Sequence, residues 1–220
     1  ATGDAADVMV ENRRGRIQTA GNYSIGVVAQ SVGGGGGRVG KASGSITLGT
    51  NGGGGDGGSV TINNAGGLIS TGGAYAPAYV MQSIGGGGGL VGLGDSNGNG
   101  TVVLGGGAKG THGSGGTLTL INAAGSLQTN GRFSPGVIHQ SVGGGGGWIG
   151  SVASGTVQLG GLSTDDVTGA DLRLTLPFEV MTVGDNSPGV VLQSIGGGGG
   201  VVADVGGNVS IGGQQNERVD

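Results

Sequence analysis

The chain has 220 residues, 62 of them Gly, with 10% charged and 3% aromatic side chains, no Cys and a net charge of −4. Gly does not recur at every third position and there are only four Pro, which excludes collagen; a hydrophobic share of 34% at low net charge argues against disorder. Without Cys there are no disulfides and no thiolate metal sites. An acidic balance without a basic cluster speaks against nucleic acid as a partner, and no apolar run reaches the roughly 20 residues of a membrane-spanning helix, so this segment is not expected to insert in a membrane.

The start, Ala1-Thr2-Gly3-Asp4, carries neither the basic nor the apolar region of a signal peptide, so the chain reads as a mature region or an excerpt of something longer. The first apolar alternation is Val8-Met9-Val10-Glu11-Asn12, followed by Ile17 and Thr19, then Gly21 and a Ser24-Ile25-Gly26 turn. Next come Val28-Ala29-Gln30-Ser31-Val32, five glycines, Arg38-Val39, and Ser45-Ile46-Thr47-Leu48. The whole series then returns. Gln30, Gln82, Gln140 and Gln193 each open Gln-Ser-(Val/Ile) followed by five glycines, with Ser31, Ser83, Ser141 and Ser194 in second place.

The register extends well beyond this signature. Ile17, Ile69, Leu127 and Val180 correspond, as do Thr19, Thr71, Thr129 and Thr182. Val60-Thr61-Ile62-Asn63-Asn64 and Leu118-Thr119-Leu120-Ile121-Asn122 match the first alternation, while Leu172 to Leu176 keeps the alternation and loses the Asn. The units are approximately 8–59, 60–117, 118–170 and 171–220, the last incomplete, in one repeat domain spanning 1–220.

Short β-branched runs between Gly, Asn and Pro-Gly turns form a strand pattern, and so much Gly disfavours helix. The expected fold is all-β, a parallel β-solenoid of about four units. Five or six strands per unit suggest two three-sided coils, hence a rod about 4 nm long. Stacking supplies the core that one coil cannot build alone.

Side chains alternate between faces along a strand. Positions 28 and 32 are aliphatic in every unit, so the glutamines between them share the constant, inward face. An unpaired buried amide costs about 1–3 kcal/mol, so each Gln is expected to bond backbone within its Gly tract. A constant length of five glycines points to close backbone approach or positive φ, which Gly alone tolerates cheaply. The varying positions are expected to face outward: Ala29, Met81, His139 and Leu192 in one set, Arg38, Leu90, Trp148 and Val201 in the other. Trp148, His139, Met81 and Leu192 are the candidate exposed contacts.

Catalytic patterns do not hold up. Gly94-Asp95-Ser96-Asn97-Gly98 fits G-x-S-x-G but lacks the strand-to-helix turn that motif needs. His112 and His139 belong to no recurring constellation. Asp95 to Asn99 resembles half of a calcium loop, whose closing Glu is here Gly106; an Asx-Gly turn explains it. Asn51 to Asp56 comes near a calcium nonapeptide without repeating in tandem, and Asp165-Asp166 reads as a solvated turn. No enzyme activity, metal or cofactor is expected.

The run Ser-Pro-Gly-Val-Val-x-Gln-Ser-Ile plus five glycines from Ser187, preceded in every unit by (Ile/Leu/Val)-x-Thr-x-Gly, resembles the Gly-rich repeats of bacterial autotransporter passenger regions. That resemblance covers essentially the whole chain. It implies an extended right-handed β-helix exported across the outer membrane by a C-terminal β-barrel to the cell surface, with adhesion, aggregation or biofilm formation as the role. The expected partners are neighbouring repeats, other copies of the chain, host or abiotic surfaces, or polysaccharide. A self-assembling fibre subunit is the alternative reading; ice binding through the Thr column and a carbohydrate-active β-helix are weaker ones.

Overall fold

Short aliphatic runs punctuated by Gly become twenty strands, with no helix among the described residues, which are 3–49, 54–95, 100–105, 113–122, 125–161, 166–176 and 179–212 of a computed structural model. The first unit supplies β1 (Val8–Asn12), β2 (Ile17–Thr19), β3 (Val27–Val32), β4 (Gly36–Ser43) and β5 (Ile46–Leu48). The second supplies β6 (Val60–Asn64), β7 (Leu68–Thr71), β8 (Tyr79–Ile84), β9 (Gly88–Asp95) and β10 (Thr101–Leu104). The third supplies β11 (Leu118–Asn122), β12 (Ser126–Thr129), β13 (Val137–Val142), β14 (Gly146–Val152) and β15 (Thr156–Leu159). The fourth supplies β16 (Leu172–Thr175), β17 (Val180–Thr182), β18 (Val190–Ile195), β19 (Gly199–Val205) and β20 (Asn208–Ile211).

Each strand pairs in parallel with its counterpart in the next unit, giving five four-stranded sheets with one strand from each unit, sheets 1 to 5 being those that contain β1 to β5 in turn. The sequence columns are the pairing columns. Val8, Val60, Leu118 and Leu172 are successive partners, and so are Gln30, Gln82, Gln140 and Gln193. The chain is a parallel β-solenoid.

Two coils per unit are not formed. Paired glutamines lie 52, 58 and 53 residues apart, so each unit is one layer of five strands. At about 4.8 Å per layer the four layers make a stack about 2 nm tall, half the expected length. Pairing within a unit would have required strands about 26 residues apart to match, and here they pack face to face instead.

That packing encloses three cores rather than one lumen. The first lies between sheets 1, 2 and 3 and holds Ile62, Ile69, Tyr79, Met81, Leu120 and Leu127. The second, between sheets 3 and 4, holds Val80, Leu90, Ile138 and Trp148 with Tyr75. The third, between sheets 4 and 5, holds Val91, Val102, Leu104, Ile149, Val157 and Leu159. Sheets 3 and 4 are therefore covered on both faces, and β8, β13 and β14 are buried along their whole length. Parallel sheets buried on both sides read as continuous apolar runs rather than simple alternation.

The two inner layers are closed over by neighbours, and the outer two are not. Strand β18 alternates exposed and half-buried where β8 and β13 are wholly buried.

Candidate functional site

Each Gly tract turns the chain from sheet 3 to sheet 4, and three chain passes meet there. The last four glycines of every tract hold positive φ: 77–80° at the second, 87–90° at the third, and 134–154° at the fourth and fifth. No L side chain adopts the latter pair comfortably, and the spacing forbids one. A Cβ on Gly88 would lie 2.0 Å from the Gly146 carbonyl oxygen, and one on Gly147 would lie 1.8 Å from that of Gly89. A Cβ on Gly33 would strike the carbonyls of Gly55 and Asp56, where the chain returns to begin the next layer. Constant length and exclusive Gly follow from positive φ and close backbone approach together, where either alone was expected.

The tract's amides bond other backbone. Gly87 N donates to Gly33 O at 2.8 Å, Gly145 N to Gly85 O at 2.8 Å and Gly198 N to Gly143 O at 2.7 Å. Gly86 N and Gly144 N donate to Gly55 O and Gly113 O of the returning segments. The glutamines find other partners. Gln30 Nε2 donates to Gln82 Oε1 at 2.5 Å, Gln82 to Gln140 at 2.7 Å and Gln140 to Gln193 at 2.8 Å. The expected Gln-to-tract bond occurs once, from Gln140 Nε2 to Gly147 O at 3.3 Å. The amide ladder wins because in-register stacking brings each carboxamide opposite its own copy, whereas the carbonyls of the first and third glycines in the first three tracts already accept from amides of the next tract.

The signature serines clamp sheet 3 to the return segments. Ser83 Oγ donates to Gly58 O at 2.7 Å and accepts from Gly116 N at 2.7 Å. Ser31 joins Ala6 and Gly58 in the same way, and Ser141 joins Gly116 and Ala170; Ser194 is exposed in the last layer. The Thr column is spent on turns: Thr19, Thr71 and Thr129 donate to the carbonyls of Ser24, Ala76 and Ser134. Thr71 and Thr129 are fully buried, so they present no ice-binding face.

Of the variable positions Arg38 and Leu192 are exposed, but Ala29, Met81, His139, Leu90 and Trp148 do not face outward. Met81, His139 and Trp148 are all 0% exposed, whereas Leu192 in the fourth layer is 46% exposed. Met81 packs in the first core and Trp148 in the second. Alternation tells two faces apart; it does not reveal that both are covered. The His139 ring nitrogens, the Tyr79 hydroxyl and Trp148 Nε1 have no hydrogen-bond partner. Burial lowers the His139 pKa to about 4 and pushes that of Tyr79 up.

One column escaped the sequence reading. Tyr23, Tyr75, Phe133 and Asn186 occupy the same turn in successive units, all with φ of 53–59°. Tyr23 stacks on Tyr75 with centroids 5.0 Å apart, and Tyr75 on Phe133 at 5.2 Å, each pair tilted by only 3°. The Arg132 guanidinium lies 5.4 Å from the Tyr75 centroid, and the Tyr75 hydroxyl donates to Asp204 Oδ2 at 2.5 Å. Every member sits just ahead of the Ser/Ala turn, which was the available signal. Where Asn186 ends the rings, a cleft of about 300 Å³ opens among Phe133, Trp148, Asn186, Val191 and Val201.

Asp56 is built into the backbone, its Oδ1 accepting from Ser114 N at 2.7 Å. Asp166 is exposed. Residues 96–99 of the candidate calcium loop, with Asn51, Gly106, His112 and Asp165, lie outside the described residues. Among the described residues no three His, Asp or Glu side chains gather closely enough to hold a metal ion, and no helix is long and apolar enough to cross a membrane. Comparison with protein-family models, curated proteins and solved structures finds no match to this chain.

Proposed function

We propose that this chain is a non-catalytic, rod-forming repeat module of a bacterial surface protein, exported across the outer membrane and serving adhesion, aggregation or a biofilm matrix. The observation that carries this reading is the repetition of one cross-section, layer on layer, with its recurring polar residues consumed in joining layers. Gln, Ser and Thr of the signature all bond along or within the stack, so what the sequence maintains is extension along an axis. Such stacks add length one unit at a time. The likeness of the signature to autotransporter passenger repeats supplies the location and the class of role.

The test uses antibodies raised against the 220-residue chain on intact source cells, alongside a strain lacking the coding segment. Surface labelling without permeabilisation, together with reduced cell–cell aggregation or attachment in the deletion strain, is the expected result. Labelling only after the cells are opened would overturn the location. Unchanged aggregation and attachment would overturn the role.

A further inference from the structure

We propose that Tyr75 is a redox-active tyrosine: a one-electron oxidant acting on the aromatic column leaves its hole on Tyr75, and the phenol proton moves to Asp204. This goes beyond the surface role and does not depend on it, since it rests on side chains along the flank of the stack.

Tyr and Trp are the aromatic side chains that give up one electron most readily, and the chain holds three Tyr and one Trp. Their surroundings differ in the respect that decides where a hole rests. An oxidised phenol or indole is a far stronger acid than its parent, so the hole is stable only where a base takes the proton. The Tyr79 hydroxyl and Trp148 Nε1 are buried with no hydrogen-bond partner. Tyr23 has the Ser151 hydroxyl, a weak base. Tyr75, 3% exposed, donates to Asp204 Oδ2 at 2.5 Å, the short separation of a bond to a charged acceptor. Burial and that bond hold the Tyr75 pKa above its ordinary value, so the resting phenol keeps its proton.

Arg132 sharpens the choice. Its guanidinium lies 5.4 Å from the Tyr75 centroid and 5.6 Å from that of Phe133. A cation over the ring is attracted to the neutral π face and repels a radical cation. Electron loss from Tyr75 therefore requires the proton to leave with the electron, and Asp204 stands where it leaves. The step balances: the electron goes to the oxidant, the phenol O–H bond breaks, the carboxylate gains the proton, and a neutral phenoxyl radical remains. A one-electron donor from solution, of the thiol or ascorbate class, returns the electron while Asp204 returns the proton.

The stack provides the way in. Tyr23 lies 5.0 Å from Tyr75 between centroids, with the ring planes 3° apart, and it is the more exposed of the two. An oxidant in solution meets Tyr23 first, and the parallel faces pass the hole inward. Phe133, 5.2 Å beyond Tyr75, is much harder to oxidise and ends the path. Tyr23 is seated against sheet 4, its Cβ 3.4 Å from where a Cβ on Gly92 would lie, and Asp204 belongs to β19 of the same sheet. Ring column and proton acceptor are thus held by one packing arrangement. The result is a sink that keeps oxidising equivalents off the buried Trp148.

Photo-generated tris(bipyridine)ruthenium(III), an outer-sphere one-electron oxidant, tests this on the purified chain, read by transient absorption and freeze-quenched electron paramagnetic resonance. The expected product is a long-lived neutral tyrosyl radical. Tyr75→Phe, which copies the Phe133 of its own column, should lower its yield about tenfold. Asp204→Asn, which keeps an acceptor oxygen and loses the charge, should do the same with an unchanged circular dichroism spectrum, about tenfold being the worth of one hydrogen bond to a charged group. Tyr79→Phe should leave the yield as it was, and Tyr23→Phe should slow formation without changing the radical's spectrum. A tyrosyl signal that survives Tyr75→Phe, one that vanishes with Tyr23→Phe or Tyr79→Phe, or a main product on Trp148 overturns the assignment. A parent-like yield in Asp204→Asn overturns the proton transfer.

Discussion

Gln82 donates its carboxamide proton to the Gln140 carbonyl oxygen across 2.7 Å, two residues 58 positions apart brought together by one layer of stacking. Gln82 in turn accepts from Gln30 at 2.5 Å, so it is tied on both sides while fully buried. Removing it leaves the Gln30 donor and the Gln140 acceptor without their partner. An orphaned buried group costs about 1–3 kcal/mol. Gln82→Ala should therefore lower stability by about 2–4 kcal/mol in chemical denaturation, and Gln193→Ala, with one bond in an outer layer, by clearly less. Equal losses would mean that the ladder does not act as a chain of bonds.

The corner glycines separate into those that tolerate a methyl group and those that do not. Gly88→Ala sets a Cβ 2.0 Å from a carbonyl oxygen at a φ of 134°. Gly40→Ala meets nothing within 4 Å and carries no positive φ. The first should abolish the cooperative thermal transition or lower its midpoint by more than 10 °C. The second should stay within about 0.5 kcal/mol of the parent. Circular dichroism melting curves decide this.

His139 sets a pH dependence. Burial holds its folded-state pKa at about 4 against an ordinary 6.5, so between these values the unfolded chain binds more protons. Stability is then fully present above about pH 6.5 and lost as the pH falls toward 4, by about 2 kcal/mol at pH 5. In His139→Met, which copies the Met81 of its own column, that slope should flatten. Guanidinium midpoints at pH 7 and pH 5 for both chains supply the comparison; parallel midpoints would place the acid sensitivity elsewhere.

Trp148 is a core residue, so its fluorescence should be blue-shifted and shielded from aqueous quenchers. Trp148→Ala should cost about 3–5 kcal/mol, read by far-ultraviolet circular dichroism, while Leu192→Ala changes the unfolding free energy little. Emission near that of free tryptophan would contradict the packing between sheets 3 and 4.

Much of this architecture was legible in the sequence because stacking in register turns sequence columns into pairing columns. The alignment of Ile17 with Ile69, Leu127 and Val180 is the hydrogen-bonded register of sheet 2. The strands, the parallel solenoid and the reason for five glycines followed from local chemistry. The number of coils did not, because a strand's sequence records its neighbour along the axis but not which strands face it across the layer. The same gap turned Met81, His139 and Trp148 into expected surface contacts. Variation along a column also arises inside a core, where residues of different size fill complementary space: Ala29, Met81 and His139 are all buried in one column. The glutamines' partner was missed for a related reason. A single unit offers only its own Gly tract, and the competing carboxamide belongs to the next layer.

The one-layer-per-unit geometry also governs how such a stack responds to being pulled. Among the described residues strand pairing runs only between adjacent layers, and the Tyr75–Asp204 bond is one link that skips a layer. Tension on the two termini would load the outermost layer first and strip it as a block. Each block holds about 53 residues, which release about 18 nm of extended chain. A tether of many such layers would pay out slack in near-equal increments rather than snapping, converting a sudden tug into a series of small yields.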